Sequence, residues 1–79
     1  MTTDELLQEA LAKLDSAGGE LILDFSSVRR IGTGAIGSME RLAVAAEDKA
    51  VKVALRGVNI DVYKVLKLVN LTPRFSFPA

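Results

Sequence analysis

Apolar positions along the chain change period from block to block. In the first block Leu7 and Leu11 stand four apart, with Leu6, Ala10 and Leu14 as a second row beside them. One broad helical stripe is therefore apolar, and the spacing predicts a helix over residues 3–17. Thr2 and Glu5 have capping-box spacing, and Asp4 and Glu5 face the positive end of the helix dipole. Gly18 and Gly19 supply the left-handed backbone that ends it. The next block, Glu20-Leu21-Ile22-Leu23-Asp24-Phe25, is a continuous apolar run, the pattern of a strand covered on both faces. After a polar connection over residues 26–30 come Ile31 and Gly32-Thr33-Gly34, where a second helix begins and runs to about Glu47. Ile36, Met39, Ala43 and Ala46 recur at its helical spacing, with Glu40, Arg41 and Glu47 on other faces.

Asp48-Lys49-Ala50 turns the chain into a second strand over residues 51–55, where Val51, Val53 and Leu55 alternate. Gly57-Val58-Asn59 introduces a third helix. Asn59 is a good N-cap, Asp61 suits the first turn, and Val58 is placed to staple onto Tyr63. Val62, Leu66 and Val69 form the apolar row, Asn70 ends the helix, and Thr72-Pro73 blocks its continuation. Arg74 to Phe77 reads as a short third strand with Phe75 and Phe77 on one side. Helix alternating with strand implies parallel pairing through right-handed crossovers. The expected fold is α/β, a small layer structure with a mainly parallel sheet and helices packed on it. A single domain fills residues 1–79.

Composition narrows what such a domain does. With 79 residues, 49% of them apolar, the chain is globular and has room for one small core. It has no Cys, which excludes disulfides and thiolate metal sites, and no His, which removes the commonest metal ligand and the usual general base. No cofactor or metal is expected, and a binding module is favoured over an enzyme. The acidic N-terminus has no signal-peptide pattern, and apolar stretches fall far short of the ~20 residues that cross a bilayer. A cytoplasmic setting without membrane insertion is the expectation. Net charge is zero but unevenly spread: residues up to Val28 carry −5, and those from Lys49 onward carry +5. Such asymmetry steers charged partners or head-to-tail packing, with a solvated surface as the default. No aromatic platform accompanies the basic half, so nucleic acid is not an expected partner.

From Leu21 to Phe77 the chain resembles a STAS domain, the fold of bacterial anti-sigma factor antagonists and of sulfate-transporter tails. The strand end Leu23-Asp24-Phe25-Ser26 is similar to the family's apolar-Asp-Leu-Ser. Val28, Ile31 and Gly32-Thr33-Gly34-Ala35-Ile36-Gly37 resemble the loop that opens its key helix. Val53-Ala54-Leu55-Arg56-Gly57-Val58 matches the next strand and its exit, and Val65-Leu66-Lys67-Leu68 lies in the matching last helix. Two departures follow. The family's usual N-terminal strand pair is lacking, which leaves the strand at residues 21–25 at or near an open edge, a site for self-association or for a partner's strand. The family's turn carries Asp, then Ser or Thr, then often a second hydroxyl that is phosphorylated. Those positions are Gly32, Thr33 and Gly34 here, so the standard switch is not expected.

The resemblance implies a non-enzymatic, regulatory protein-binding module with an anti-sigma factor-type kinase as partner. Its contact residues would be Arg30, Gly32, Thr33, Gly34, Ala35 and Arg41, with Arg29 adding charge. The alternative is an accessory STAS subunit that binds the ATPase of an ABC lipid transporter. The turn resembles that subgroup, as do Tyr63, Lys67-Leu68 and Asn70-Leu71. Thr33 itself has three readings: an N-cap, a phosphorylation site, or an unmodified contact. A different class remains open as well. Gly32, Gly34 and Gly37 have the spacing of a dinucleotide fingerprint, and a phosphate or nucleotide would sit at the Thr33 helix start. Against this, a polar connection precedes the glycines and the following strand ends at Arg56 rather than an acid. Asp24 reads as the residue that fixes the turn after its strand.

Overall fold

The computed structural model describes residues 2–78. Helix α1 (Thr3–Lys13) opens with the reciprocal capping box: the Glu5 N–H donates to Thr2 Oγ1 at 3.2 Å, and the Thr2 N–H donates to Glu5 Oε1 at 3.1 Å. The α-helical winding stops at Lys13 rather than residue 17 and tightens into a 3-10 turn, Leu14–Ser16, that keeps Leu14 buried. Strand β1 (Glu20–Asp24), helix α2 (Thr33–Asp48), strand β2 (Lys52–Arg56), helix α3 (Ile60–Leu68) and a 3-10 turn at Thr72–Arg74 follow. The strands pair in parallel, Glu20 beside Lys52, Leu23 beside Leu55 and Asp24 beside Arg56. The acidic early segment is thus laid against the basic late one, and Lys49 pairs with Asp15 across the same divide. Part of the charge asymmetry is met within the molecule.

Two expectations about the sheet need correction. The apolar run at 21–25 implied a strand covered on both faces, yet Ile22 is 53% exposed. Leu23, Val53 and Leu55 enter one core with Leu7, Met39, Leu42, Val62 and Leu66 from all three helices and Leu14 from the 3-10 turn. Ile22 and its neighbour Ala54 point the other way, and only Ala54, with chain on both sides, is buried. The second correction is the third strand, which shrinks to a single parallel bridge between Ala54 and Ser76. Ser76 donates to the Val53 carbonyl at 2.9 Å and accepts from the Leu55 N–H at 2.8 Å. The next residue facing β2 is Pro78, which has no N–H to extend the ladder. On the other side, Pro73 and Arg74 are already wound into the 3-10 turn.

Helices α2 and α3 end alike. The Val51 N–H reaches the Ala46 carbonyl at 2.8 Å and the Ala50 N–H reaches Glu47 at 3.2 Å. Leu71 and Asn70 repeat the arrangement on Leu66 and Lys67. The residue between must be left-handed: Asn70 at φ 62°, as its sequence position implied, and Ala50 at φ 55°. Asn tolerates this region and Ala does not. Ala50→Gly should therefore stabilise the domain by about 1 kcal/mol, raising Tm by about 4–8 °C. Asn70→Gly should change it far less. Thermal melts of both variants decide the point, and an unchanged or lowered Tm for Ala50→Gly would refute it. Among the described residues no helix is long and apolar enough to cross a membrane.

Candidate functional site

β1 ends in a turn that its own sequence builds. The Ser26 N–H donates to Asp24 Oδ1 at 2.9 Å, which is the turn-fixing role expected of Asp24. The Ser26 hydroxyl, and next its N–H, hold the Asp24 carboxyl below the ordinary carboxylate value. Residues 25–32 then cross the end of the sheet to α2, with Phe25 and Val28 buried as anchors and Arg29, Arg30, Gly32, Thr33 and Gly34 exposed.

Gly32, not Thr33, occupies the N-cap of α2, and no side chain caps this helix. Thr33 is the first helical residue. Its reading as an N-cap is corrected: the hydroxyl belongs to the first turn instead of closing it. The dinucleotide reading gains no support from this geometry, because residues 25–32 separate β1 from α2 in place of a tight strand-to-helix turn and Gly32 is in ordinary extended backbone at φ −99°. Ala35 also leaves the candidate surface, since it is 8% exposed and packs in the core. One helical face then carries Gly34, Gly37, Ser38 and Arg41 in succession. The Arg41 guanidinium donates to Ser38 Oγ at 3.2 Å and lies over Gly37, where a Cβ would sit 3.9 Å from its Nη1. The structure thus groups Arg30, Gly32, Thr33 and Gly34 at the entrance to α2 and sets Arg41 two turns further along.

A second element joins this entrance, and the sequence marked it only as a cap. Asn59 Oδ1 accepts from the Val62 N–H at 2.8 Å, capping α3 as expected. Its Nδ2 also donates to the carbonyls of Val28 and Arg29, both at 3.1 Å. One side chain ties the start of α3 to the loop that carries Arg29 and Arg30. Gly57 makes the approach possible, running at φ +70° against Ser26. Beside Asn59 opens a cleft of about 400 Å³, lined by Leu55, Val58, Ile60, Tyr63 and Phe77 among others. Tyr63 and Phe77 meet edge to face, with ring centroids 5.3 Å apart. Ile60 is 73% exposed and Tyr63 42%. Neither belongs to the Val62–Leu66 row, and that off-row position was the signal available in the sequence.

The profile of the family described as Mlab, STAS domain matches residues 1–73. The chain belongs to the STAS family. A crystal structure of a proposed anti-sigma factor antagonist from Thermotoga maritima superposes with a TM-score of 0.77 at 20% identity. The match covers 95% of this chain and 65% of that one, so this STAS domain spans about two-thirds of its neighbour's length. At that identity the likeness establishes a shared fold, with the parallel β1–β2 pair and three helices as its common part. No curated protein sequence matches.

Proposed function

We propose that this STAS domain is a non-enzymatic, regulatory protein-binding module of the anti-sigma factor antagonist type, working without a phosphorylation switch at the second position of its turn. The observation that carries the reading is the entrance to α2, where Arg30, Gly32, Thr33 and Gly34 stand exposed on an uncapped helix start. Two glycines there let a partner approach the backbone closely. Arg29, Arg30 and Arg41 supply charge-assisted contacts. Because Asn59 fixes this loop to α3, the exposed Ile60 and Tyr63 extend the surface with apolar area. The Thermotoga neighbour's description supports the same class.

Gly34 favours a second reading within the family. A turn lacking the second hydroxyl suits a constitutive contact, as on the ATPase of an ABC lipid transporter, where the domain would be an accessory subunit. Thr33 then serves as an unmodified contact residue.

Isothermal titration of the purified domain against an anti-sigma factor-type kinase and a lipid-transporter ATPase from the same organism separates these readings. One of the two should bind saturably. Thr33→Glu should weaken that binding at least about tenfold, because it places an unpaired carboxylate inside the contact. Equal affinity of wild type and variant would remove the entrance to α2 from the interface. Saturable binding of ATP by the domain alone would transfer the site to the nucleotide class.

A further inference from the structure

We infer that the outward face of α3 is a second docking face, one that takes an amphipathic helix of a partner protein with carboxylates beside its aliphatic residues. Each residue of a helix turns about 100° from the last, so with Val62 and Leu66 in the core, Ile60, Lys64, Lys67 and Leu68 share the opposite side. Ile60, Lys64 and Leu68 stand four apart and form one ridge, with Tyr63 and Lys67 as the next. Leu68 is 85% exposed, the most open large apolar side chain among the described residues. Lys64, Lys67 and Leu68 line a shallow notch of about 340 Å³ whose walls are almost wholly apolar. The lysine stems join Leu68 in those walls while their charges stay in water.

The charges select the occupant. Lys64 and Lys67 are three apart, a spacing at which like charges on one helix repel. Among the described residues neither lies in an ion pair, the pairs formed being Lys49 with Asp15 and Arg74 with Glu47. Lys67 also answers the negative end of the helix dipole, a role that Lys64 stands too far forward to share. A second copy fits this face less well. Packing α3 on α3 sets lysine against lysine. The acidic row of α1, Glu5 and Glu9, has Ala12 as its exposed apolar neighbour, too small to cover Leu68, and Glu5 already accepts from the Thr2 N–H. A partner helix with Glu or Asp beside Leu or Ile answers both lysines, covers Leu68 and lays its ridge between the two ridges of α3. Lys64, Lys67 and Leu68 take no part in the surface proposed for the entrance to α2.

The test is an NMR titration of 15N-labelled protein with a capped peptide of four Glu-Leu-Ala-Ala repeats and its counterpart of four Lys-Leu-Ala-Ala repeats. The acidic peptide should give saturable shifts at Lys64, Lys67 and Leu68, with half-saturation below about 1 mM. The variants Lys64→Gln/Lys67→Gln and Leu68→Ser should each weaken that binding at least about fivefold. The three side chains are exposed, so both variants should keep the wild-type Tm. A fall in Tm for Leu68→Ser would place this face inside the folded protein and overturn the inference. So would absence of saturable shifts, equal responses to the two peptides, or shifts centred on Arg29, Arg30 and Arg41. Sedimentation with vesicles of phosphatidylcholine and phosphatidylglycerol that is lost in Leu68→Ser would assign the face to lipid instead. A concentration-dependent dimer lost in Glu5→Gln/Glu9→Gln would assign it to a second copy, and either result overturns the inference.

Discussion

Gly57→Ala is expected to cost about 3 kcal/mol and to lower Tm by more than about 10 °C. Two effects combine at this position. The backbone is left-handed, φ +70°, which a Cβ disfavours by about 1–2 kcal/mol. The added Cβ would also lie 2.9 Å from Ser26 Cβ, 3.1 Å from its Cα and 3.2 Å from its backbone N. Backbone cannot swing aside as a flexible side-chain end can, so the turn after β1 must separate from the turn after β2. Gly18→Ala is the control, because Gly18 has φ +66° and an added methyl group there would meet nothing within 4 Å. It should lose only the conformational part. Thermal melts followed by circular dichroism distinguish the two contributions, and equal losses would mean that the Ser26 contact is immaterial.

Asn59 should show the next largest effect, and its substitutions separate a cap from a clamp. Asn59→Ala removes the cap of α3, worth about 1 kcal/mol, and strips the Val28 and Arg29 carbonyls of their donor. Together the loss should be about 2–3 kcal/mol. Asn59→Asp is the informative partner. Asp caps helices as well as Asn does, so a residue that merely capped would tolerate it. Here the carboxylate would face two carbonyl oxygens with no proton to offer. We expect Asn59→Asp to destabilise by about 1–2 kcal/mol and to speed amide exchange at Arg30 and Ile31. Wild-type stability and exchange in that variant would reduce Asn59 to a cap.

These two residues also mark the boundary of what the sequence made legible. Features built from neighbours were readable: the Thr2–Glu5 box, the Asp24 turn, the Asn59 cap and the Asn70 stop all close within a few residues. The Asn59 clamp was not, since its carbonyl partners lie 30 and 31 residues away and only the fold brings them together. Ala35 was misplaced because the row through Ile36, Met39, Ala43 and Ala46 left out Ala35 and Leu42, which are buried on the same side of α2. An apolar run alone did not reveal that Ile22 lacks cover, which depends on strand order rather than on the strand itself. The failure of the third strand was readable in principle, from the missing N–H of Pro78 at the point where a ladder would continue.

The charged ends of the paired strands have a consequence for alignment during folding. The middles of β1 and β2, Leu21-Ile22-Leu23 and Val53-Ala54-Leu55, are apolar throughout. A slide of two residues keeps every side chain on its own face, so hydrophobicity by itself penalises that error weakly. Glu20 and Asp24 on one strand and Lys52 and Arg56 on the other sit four apart, and all four find opposite charge only in the native alignment. Slipped by two, both acids and both bases lose their counterparts and stand beside apolar or uncharged neighbours. The acids and bases thus act as a vernier that rejects misaligned pairings which the apolar centre would accept.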